Sequence, residues 1–182
     1  LDKIINAEGN FYEKFKINKW WNAKEKFNSQ SSKIYSDEEN AINDTERILI
    51  QSIKSQLISD VPVGTFLSGG IDSSIVSTLM QKNLSTKIKT FTIGFENKYY
   101  DESMYAKKIA KYLGTEHNEL ILSQKETLNI IPTLHKVYDE PFADSSQLPT
   151  ILVSKLASND VTVALSGDGG DELFAGYNRY KW

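Results

Sequence analysis

Short apolar runs alternate along this chain with longer segments in which apolar residues recur at helical spacing. Four runs are rich in β-branched and aromatic residues and are bounded by glycine, proline or polar residues, which is typical of buried strands: residues 61–67, 88–95, 117–122 and 161–165. Helical spacing is found over residues 36–60, 75–82, 101–113, 123–138 and 146–157. Alternating strands and helices predict a parallel sheet with helices on both faces.

Local signals mark several helix ends. Ser36 with Glu39, and Ser123 with Glu126, have the spacing of capping boxes, in which each side chain accepts a hydrogen bond from the other residue's backbone. Gly114 is expected to end the helix that precedes it. The polar segment 139–146 is predicted not to be regular helix throughout.

The first strand leads into a loop rich in glycine and serine, Ser68-Gly69-Gly70-Ile71-Asp72-Ser73-Ser74. A Gly-rich turn before a helix favours an anion, because unpaired N–H groups and the helix dipole point at the ligand. Asp72 would repel a phosphate unless a cation lies between them, so the loop predicts a polyphosphate bound with Mg²⁺. The alternative is an ordinary strand–turn–helix connection with a serine-rich cap.

The fourth strand leads into a second, acidic loop, Ser166-Gly167-Asp168-Gly169-Gly170-Asp171-Glu172-Leu173-Phe174-Ala175-Gly176-Tyr177. A solvated acidic turn is one explanation for its carboxylates. Ligands of open α/β sheets bind beyond the carboxyl ends of the strands, at the switch point in strand order. If strands one and four are neighbours, the two loops therefore lie opposite each other over one ligand.

The first loop resembles the pyrophosphate loop (PP-loop) of the ATP pyrophosphatases, which cleave ATP between the α and β phosphates, and no Walker A string occurs. Together with the second loop, the chain resembles the glutamine-dependent asparagine synthetase family over roughly residues 55–180. The resemblance implies an α/β fold, a doubly wound parallel sheet of the adenine nucleotide alpha hydrolase-like type in three α/β/α layers.

The same resemblance implies site residues. Asp72 and Asp171 are expected to share Mg²⁺ as pyrophosphate leaves. Asp168 is the candidate catalytic residue, at a position where asparagine synthetases typically have a glutamate implicated in forming the acyl-adenylate. The residues expected to bind ATP are Leu67, Ser68, Gly69, Gly70, Asp72, Ser73, Ile93, Ser166 and Gly167.

The function implied is an ATP-dependent amide-forming ligase, in which aspartate becomes an acyl-AMP, pyrophosphate leaves, and ammonia from glutamine gives asparagine. The side chain of Asp168 is shorter than the glutamate typical of the family, which leaves two alternative reactions open. The chain could come from a paralogue that amidates a sugar acid or peptide carboxylate, or from one that closes a β-lactam. A nucleotide-binding module without turnover is the alternative from another class. The family has a lysine downstream that stabilises the transition state, so the chain alone is expected to be inactive.

Composition adds limits. The 182 residues are 40% hydrophobic and 25% charged with a net charge of −3, which gives no reason to expect a nucleic-acid or membrane partner. The absence of cysteine excludes disulfides and thiolate chemistry. We expect a cytoplasmic enzyme, with a homodimer as an open option.

The chain begins with Leu1 rather than Met, and we expect it to be a fragment. Residues 1–35 are expected to be a linker and remnant after a missing N-terminal glutaminase domain that acts in cis. Residues 36–182 are expected to form the ATP-binding domain, truncated at its C-terminus.

Five further candidates are weaker. His117 and His135 lie on or beside apolar segments and are expected to be structural. Asp139, Glu140 and Asp144 suit either an acceptor site or helix caps.

Overall fold

The structure, a computed structural model, describes residues 19–30, 35–99, 101–141 and 143–181. The chain divides into two units, residues 1–43 and 44–182. In the first unit, helix α1 (Ala23–Gln30) begins after Asn22, whose side chain accepts hydrogen bonds from the backbone of Lys24 and Glu25 at 3.1 and 3.4 Å. Residues 1–18 and 31–34 of the predicted linker and remnant lie outside the described residues.

Helix α2 (Glu38–Gln56) begins one residue later than a cap at Ser36 would place it. The Asp37 carboxylate accepts from the backbone N–H of Glu39 at 3.2 Å and of Asn40 at 3.3 Å. The prediction that Ser36 caps this helix is therefore wrong, because both oxygens of Asp37 reach the free amides and its charge complements the helix dipole.

The second unit alternates strands and helices as predicted. Its further elements are β1 (Val63–Phe66), α3 (Ile71–Asn83), β2 (Lys89–Phe95), α4 (Ser103–Leu113), β3 (Glu116–Leu122), α5 (Gln124–Leu128), a 3₁₀ helix (Ile131–Lys136), α6 (Gln147–Ala157), β4 (Val163–Leu165), α7 (Gly170–Phe174) and a second 3₁₀ helix (Asn178–Lys181).

The four strands form one parallel sheet in the order β3-β2-β1-β4. Phe66 of β1 is in register with Phe91 of β2, and Thr65 of β1 is in register with Leu165 of β4. Strands one and four are thus neighbours, as the sequence analysis required if the two loops were to meet.

Helices cover both faces of the sheet. On one face, Phe66 and Phe91 pack with Val153 and Ala157 of α6. On the other, Leu165 packs with Ile53 of α2 and with Leu79 and Met80 of α3, while Leu67 packs with Ala106 and Ala110 of α4. The predicted three-layer arrangement is confirmed.

The predicted helix over residues 123–138 is wrong in its length. Ser123 and Glu126 do form the predicted capping box, but α5 ends at Leu128 and a 3₁₀ helix follows. Pro132 explains the break, since a proline has no N–H to donate and its ring clashes with the carbonyl four residues earlier, that of Leu128. Gly114 ends α4 in the left-handed conformation (φ 71°), as predicted.

Among the described residues, no helix combines the length and the apolar character that crossing a membrane requires.

Candidate functional site

A cleft of about 1040 Å³ opens beyond the carboxyl ends of β1 and β4 and borders the middle of β2. The loop at Ser68–Ser74 borders one side of it and the loop at Ser166–Tyr177 borders another. All the predicted site residues except Gly69 line this cleft: Leu67, Ser68, Gly70, Asp72, Ser73, Ile93, Ser166, Gly167, Asp168 and Asp171. The structure brings these residues together, and their individual roles stay predictions.

Hydroxyl groups hold the first loop against the start of α3. The Ser73 hydroxyl accepts from the Ser68 N–H at 3.2 Å and lies 2.9 Å from the Ser68 hydroxyl. The Ser68 hydroxyl in turn accepts from the Gly70 N–H at 3.2 Å. Helix α3 begins after Gly70, which has no side chain to cap it. The loop therefore brings hydroxyls and a helix N-terminus to the cleft wall, a combination suited to phosphate.

Gly69 lies against helix α4 instead of in the cleft wall. Its backbone is in the left-handed region (φ 88°), and a β-carbon at this position would lie 2.9 Å from the Ala106 nitrogen and 2.9 Å from Tyr105 Cβ. Glycine is required here for both reasons, since the turn needs a positive φ and the helix backbone leaves no room.

The two loops touch at two glycines of the second loop. A β-carbon on Gly167 would lie 2.7 Å from the Ser73 nitrogen and 2.9 Å from the Asp72 carbonyl carbon, and one on Gly170 would overlap the Asp72 carboxylate. Side chains at these positions would push the loops apart and cover the start of α3. The glycines of the second loop therefore serve its contact with the first.

The acids of the second loop differ in their contacts. Asp168 accepts from the Ser166 hydroxyl at 2.9 Å, which fixes the carboxylate over its own loop. Glu172 accepts from the Tyr177 hydroxyl at 2.9 Å. Asp171 packs against Gly176, where a β-carbon would overlap its carboxylate.

The cleft is strongly acidic. Its lining contains the carboxylates of Asp72, Asp144, Asp168, Asp171 and Glu172, and the described lining residues include no lysine, arginine or histidine. No group of three or more His, Cys, Asp or Glu side chains in the described chain is arranged to hold a metal ion by itself. A polyanion bound here would therefore need cations that come with it.

The N-cap residue of α6 is Ser146, and its side chain makes no capping hydrogen bond to this helix, so the helix-cap account is not confirmed for Asp144. Its carboxylate accepts from the backbone and side chain of Ser146, both at 2.8 Å, immediately before α6 begins. These hydrogen bonds favour the ionised form and lower the pKa of Asp144 below its usual value.

The two histidines differ in environment. His117 Nδ1 lies 2.9 Å from the Thr90 hydroxyl, and its Nε2 is buried without a hydrogen-bond partner. Burial lowers the pKa of His117, because the charged imidazolium loses hydration there; Glu119 raises it and Lys107 lowers it to smaller extents. His135 is exposed on the 3₁₀ helix. Neither lines the cleft.

Thr92 of β2 belongs to no sequence motif, yet it lines the cleft while being only 2% exposed. A threonine within a strand is expected from β propensity alone, so its type carried no signal. Its importance comes from a contact with Leu67, 25 residues earlier in the chain, that only the fold creates.

Solved structures with this fold include two synthetases. The NH3-dependent NAD synthetase of Campylobacter jejuni superposes with a TM-score of 0.51 at 18% identity, over 75% of this chain and 60% of that one. The NMN synthetase of Francisella tularensis gives a TM-score of 0.53 at 16% identity, over 74% of this chain and 58% of that one. The fold is thus the three-layer α/β/α architecture that these two structures share, as predicted.

Sequence relatives identify the family. The sequence model of the asparagine synthase family matches residues 44–182. A Methanocaldococcus jannaschii protein named "putative asparagine synthetase (glutamine-hydrolysing) 2" is 44% identical over 142 residues, which are 78% of this chain and 27% of that protein. Asparagine synthetase (glutamine-hydrolysing) 1 of Bacillus subtilis is 39% identical over 155 residues, 85% of this chain and 24% of that protein.

This chain belongs to the asparagine synthase family, as its two loops predicted. It spans about a quarter of the length of the curated relatives it matches.

Proposed function

We propose that this chain binds ATP and contributes the site at which a carboxylate, aspartate in the first instance, is activated as an acyl-AMP and then amidated by ammonia. The observation that carries the proposal is the contact between the two loops, in which Gly167 and Gly170 lie against Ser73 and Asp72 at the edge of one cleft. Membership of the asparagine synthase family supports the choice of reaction.

In this proposal the polyphosphate lies along the Ser68–Ser74 loop and the start of α3, where the hydroxyls of Ser68 and Ser73 and the helix N-terminus stabilise its charge. The adenosine lies toward Leu67, Ile93 and Gly167, which line the same cleft. An acceptor carboxylate oxygen attacks the α-phosphorus and pyrophosphate leaves. Ammonia then attacks the acyl carbon and AMP leaves.

The protein's main contribution is positioning and charge stabilisation, because no side chain is required as a nucleophile. Asp168, held by the Ser166 hydroxyl, borders the place where the acceptor and the α-phosphate would meet. We propose it as the catalytic carboxylate of the adenylation step.

The cleft fits a magnesium ion. Asp72 and Asp171 offer carboxylate oxygens in a site without basic residues in its described lining, and Mg²⁺ is commonly held by one or two carboxylates together with substrate phosphates. When bound, the ion would neutralise charge on the departing pyrophosphate.

Isothermal titration of the chain with ATP, in Mg²⁺ and in EDTA, tests the proposal. We expect binding that requires Mg²⁺, and AMP binding that is much weaker. Any turnover, followed by ³¹P NMR with ATP, Mg²⁺, aspartate and ammonium, is expected to yield AMP and pyrophosphate. Formation of ADP and phosphate would contradict the proposed cleavage, and equal affinity without Mg²⁺ would remove the role assigned to Asp72 and Asp171.

A further inference from the structure

The peptide bond between Leu67 and Ser68 is held at both of its polar ends. The Thr92 hydroxyl of β2 donates to the Leu67 carbonyl oxygen at 2.5 Å. The Ser68 N–H donates to the Ser73 hydroxyl at 3.2 Å. This peptide is the point at which the chain leaves β1 for the loop, so its plane sets the direction in which the loop begins.

The position of Leu67 is fixed by other contacts, so it cannot adjust if the hydrogen bond from Thr92 is lost. Its own N–H donates to the Phe91 carbonyl at 2.9 Å, and its side chain, 1% exposed, packs with Ala106 and Ala110 of α4. Among the described residues, the Thr92 hydroxyl is the donor that orients its carbonyl oxygen. A valine at residue 92 would keep the shape and leave that oxygen without this donor.

The orientation of this peptide determines the positions of the next residues in the loop. Gly69 turns with φ 88° against α4, and the Ser68 hydroxyl then accepts from Gly70 at the start of α3. A rotation of the Leu67–Ser68 peptide would thus displace the Ser68 and Ser73 hydroxyls together, because the two are hydrogen-bonded to each other.

We propose that Thr92 is a positioning residue of the phosphate-binding loop, whose hydroxyl fixes the Leu67–Ser68 peptide and so presents the hydroxyls of Ser68 and Ser73 to a bound polyphosphate. This inference rests on the proposed function for its ligand. Thr92 acts through Leu67 and needs no contact with the nucleotide.

The test compares three variants of the chain. Thr92→Val removes the hydroxyl, and Thr92→Ser keeps it. Thr90→Val is the matched control, since Thr90 lies two residues earlier on the same face of β2, is equally buried, and hydrogen-bonds to Thr115 and His117 instead of the loop.

Amide hydrogen exchange at Ser68, measured by NMR without nucleotide, reports the peptide directly. We expect exchange to be about tenfold faster in Thr92→Val than in Thr90→Val, and close to the unsubstituted rate in Thr92→Ser. Unchanged exchange at Ser68 in Thr92→Val would overturn the inference whether or not ATP binds.

Titration with ATP and Mg²⁺ reports the consequence for the ligand. We expect Thr92→Val to weaken binding about tenfold, with Thr92→Ser and Thr90→Val within about twofold of the unsubstituted chain. Equal losses in Thr92→Val and Thr90→Val would reduce Thr92 to a structural role and overturn the proposal. Failure of the unsubstituted chain to bind ATP would instead overturn the proposed function, and exchange at Ser68 would then decide the inference alone.

Discussion

Gly170 lies against the carboxylate of Asp72 so closely that a β-carbon on residue 170 would overlap it. The two residues belong to loops that follow different strands, and they meet only because β1 and β4 are neighbours in the sheet. The contact brings the acidic residue of the first loop to the edge of the second, where Asp171 follows in sequence. The cleft therefore depends on glycines for its shape as much as on carboxylates for its charge.

Substitution of Gly167 by alanine tests the contact between the loops. Its β-carbon would lie 2.7 Å from the Ser73 nitrogen, so the loops must separate, and we expect affinity for ATP and Mg²⁺ to fall at least about tenfold in a calorimetric titration. Gly169→Ala is the matched control, since that residue has φ 89° but no atom within 4 Å of an added β-carbon. It should cost about 1–2 kcal/mol of stability from backbone strain and change affinity far less. Similar affinities of the two variants would show that the contact is dispensable.

Replacement of Asp72 by asparagine tests the proposed cation site. The variant keeps the size of the side chain and removes one negative charge, so we expect affinity for ATP in Mg²⁺ to fall about tenfold or more and the response to Mg²⁺ to diminish. Asp144→Asn removes a charge from the same cleft at a residue whose carboxylate is hydrogen-bonded to Ser146, and it should leave ATP affinity within about twofold. An Asp72→Asn variant that binds ATP as well as the unsubstituted chain, with the same Mg²⁺ dependence, would exclude Asp72 as a cation ligand.

His117 predicts how stability depends on pH. Burial lowers its pKa in the folded state below the value of 6.5 expected for an exposed histidine. The unfolded chain therefore binds the proton first as pH falls, and the free energy of unfolding should decrease below about pH 6.5, by at most about 1.4 kcal/mol per pH unit from this group. Urea unfolding at pH 7.5, 6.5 and 5.5 measures the slope.

The histidine variants isolate this contribution. We expect His117→Gln to flatten the slope between pH 6.5 and 5.5, whereas His135→Gln, at an exposed histidine, should leave it as it was. A slope that persists in His117→Gln would assign the pH dependence to other groups.

The packing of Phe91 predicts its contribution to stability. The side chain is fully buried between the sheet and α6, where it packs with Ala157 and Val161. Phe91→Ala should lower the free energy of unfolding by about 3–5 kcal/mol, because it leaves a cavity in a close-packed layer. Tyr112→Ala, at an aromatic residue that is 89% exposed on α4, should change it by about 0.5 kcal/mol or less. Equal urea midpoints for the two variants would contradict the assigned core.

The order of elements and the meeting of the two loops could be predicted because they rest on periodicity and on a general rule for parallel sheets. The residue that caps α2 and the point at which α5 ends were harder to predict. Ser36 and Asp37 are both good capping residues, and only the backbone decides which one reaches the free amides. Apolar residues recur at helical spacing on both sides of Pro132, so the spacing alone predicts one continuous helix.

The contacts that hold the first loop in place could not be predicted from the sequence. Thr92 and Leu67 are separated along the chain by the whole of α3, and nothing in either residue type indicates a hydrogen bond between them. Gly69 matched the phosphate-loop pattern, yet it lies against α4. Such contacts follow from tertiary packing, which a linear pattern does not encode.

The pairing of β1 with β4 has a consequence for how the molecule folds. Val63 is in register with Val163, so this pairing joins residues a hundred positions apart, whereas β2 and β3 pair over a much shorter separation. Closing so long a stretch of chain costs more entropy, and contacts of this kind tend to form late. Since both loops are needed for the cleft, a ligand can bind the chain only after β1 has paired with β4. A nucleotide should consequently slow unfolding of the finished domain and do little to accelerate its folding, because the transition state would not yet contain a site to bind it.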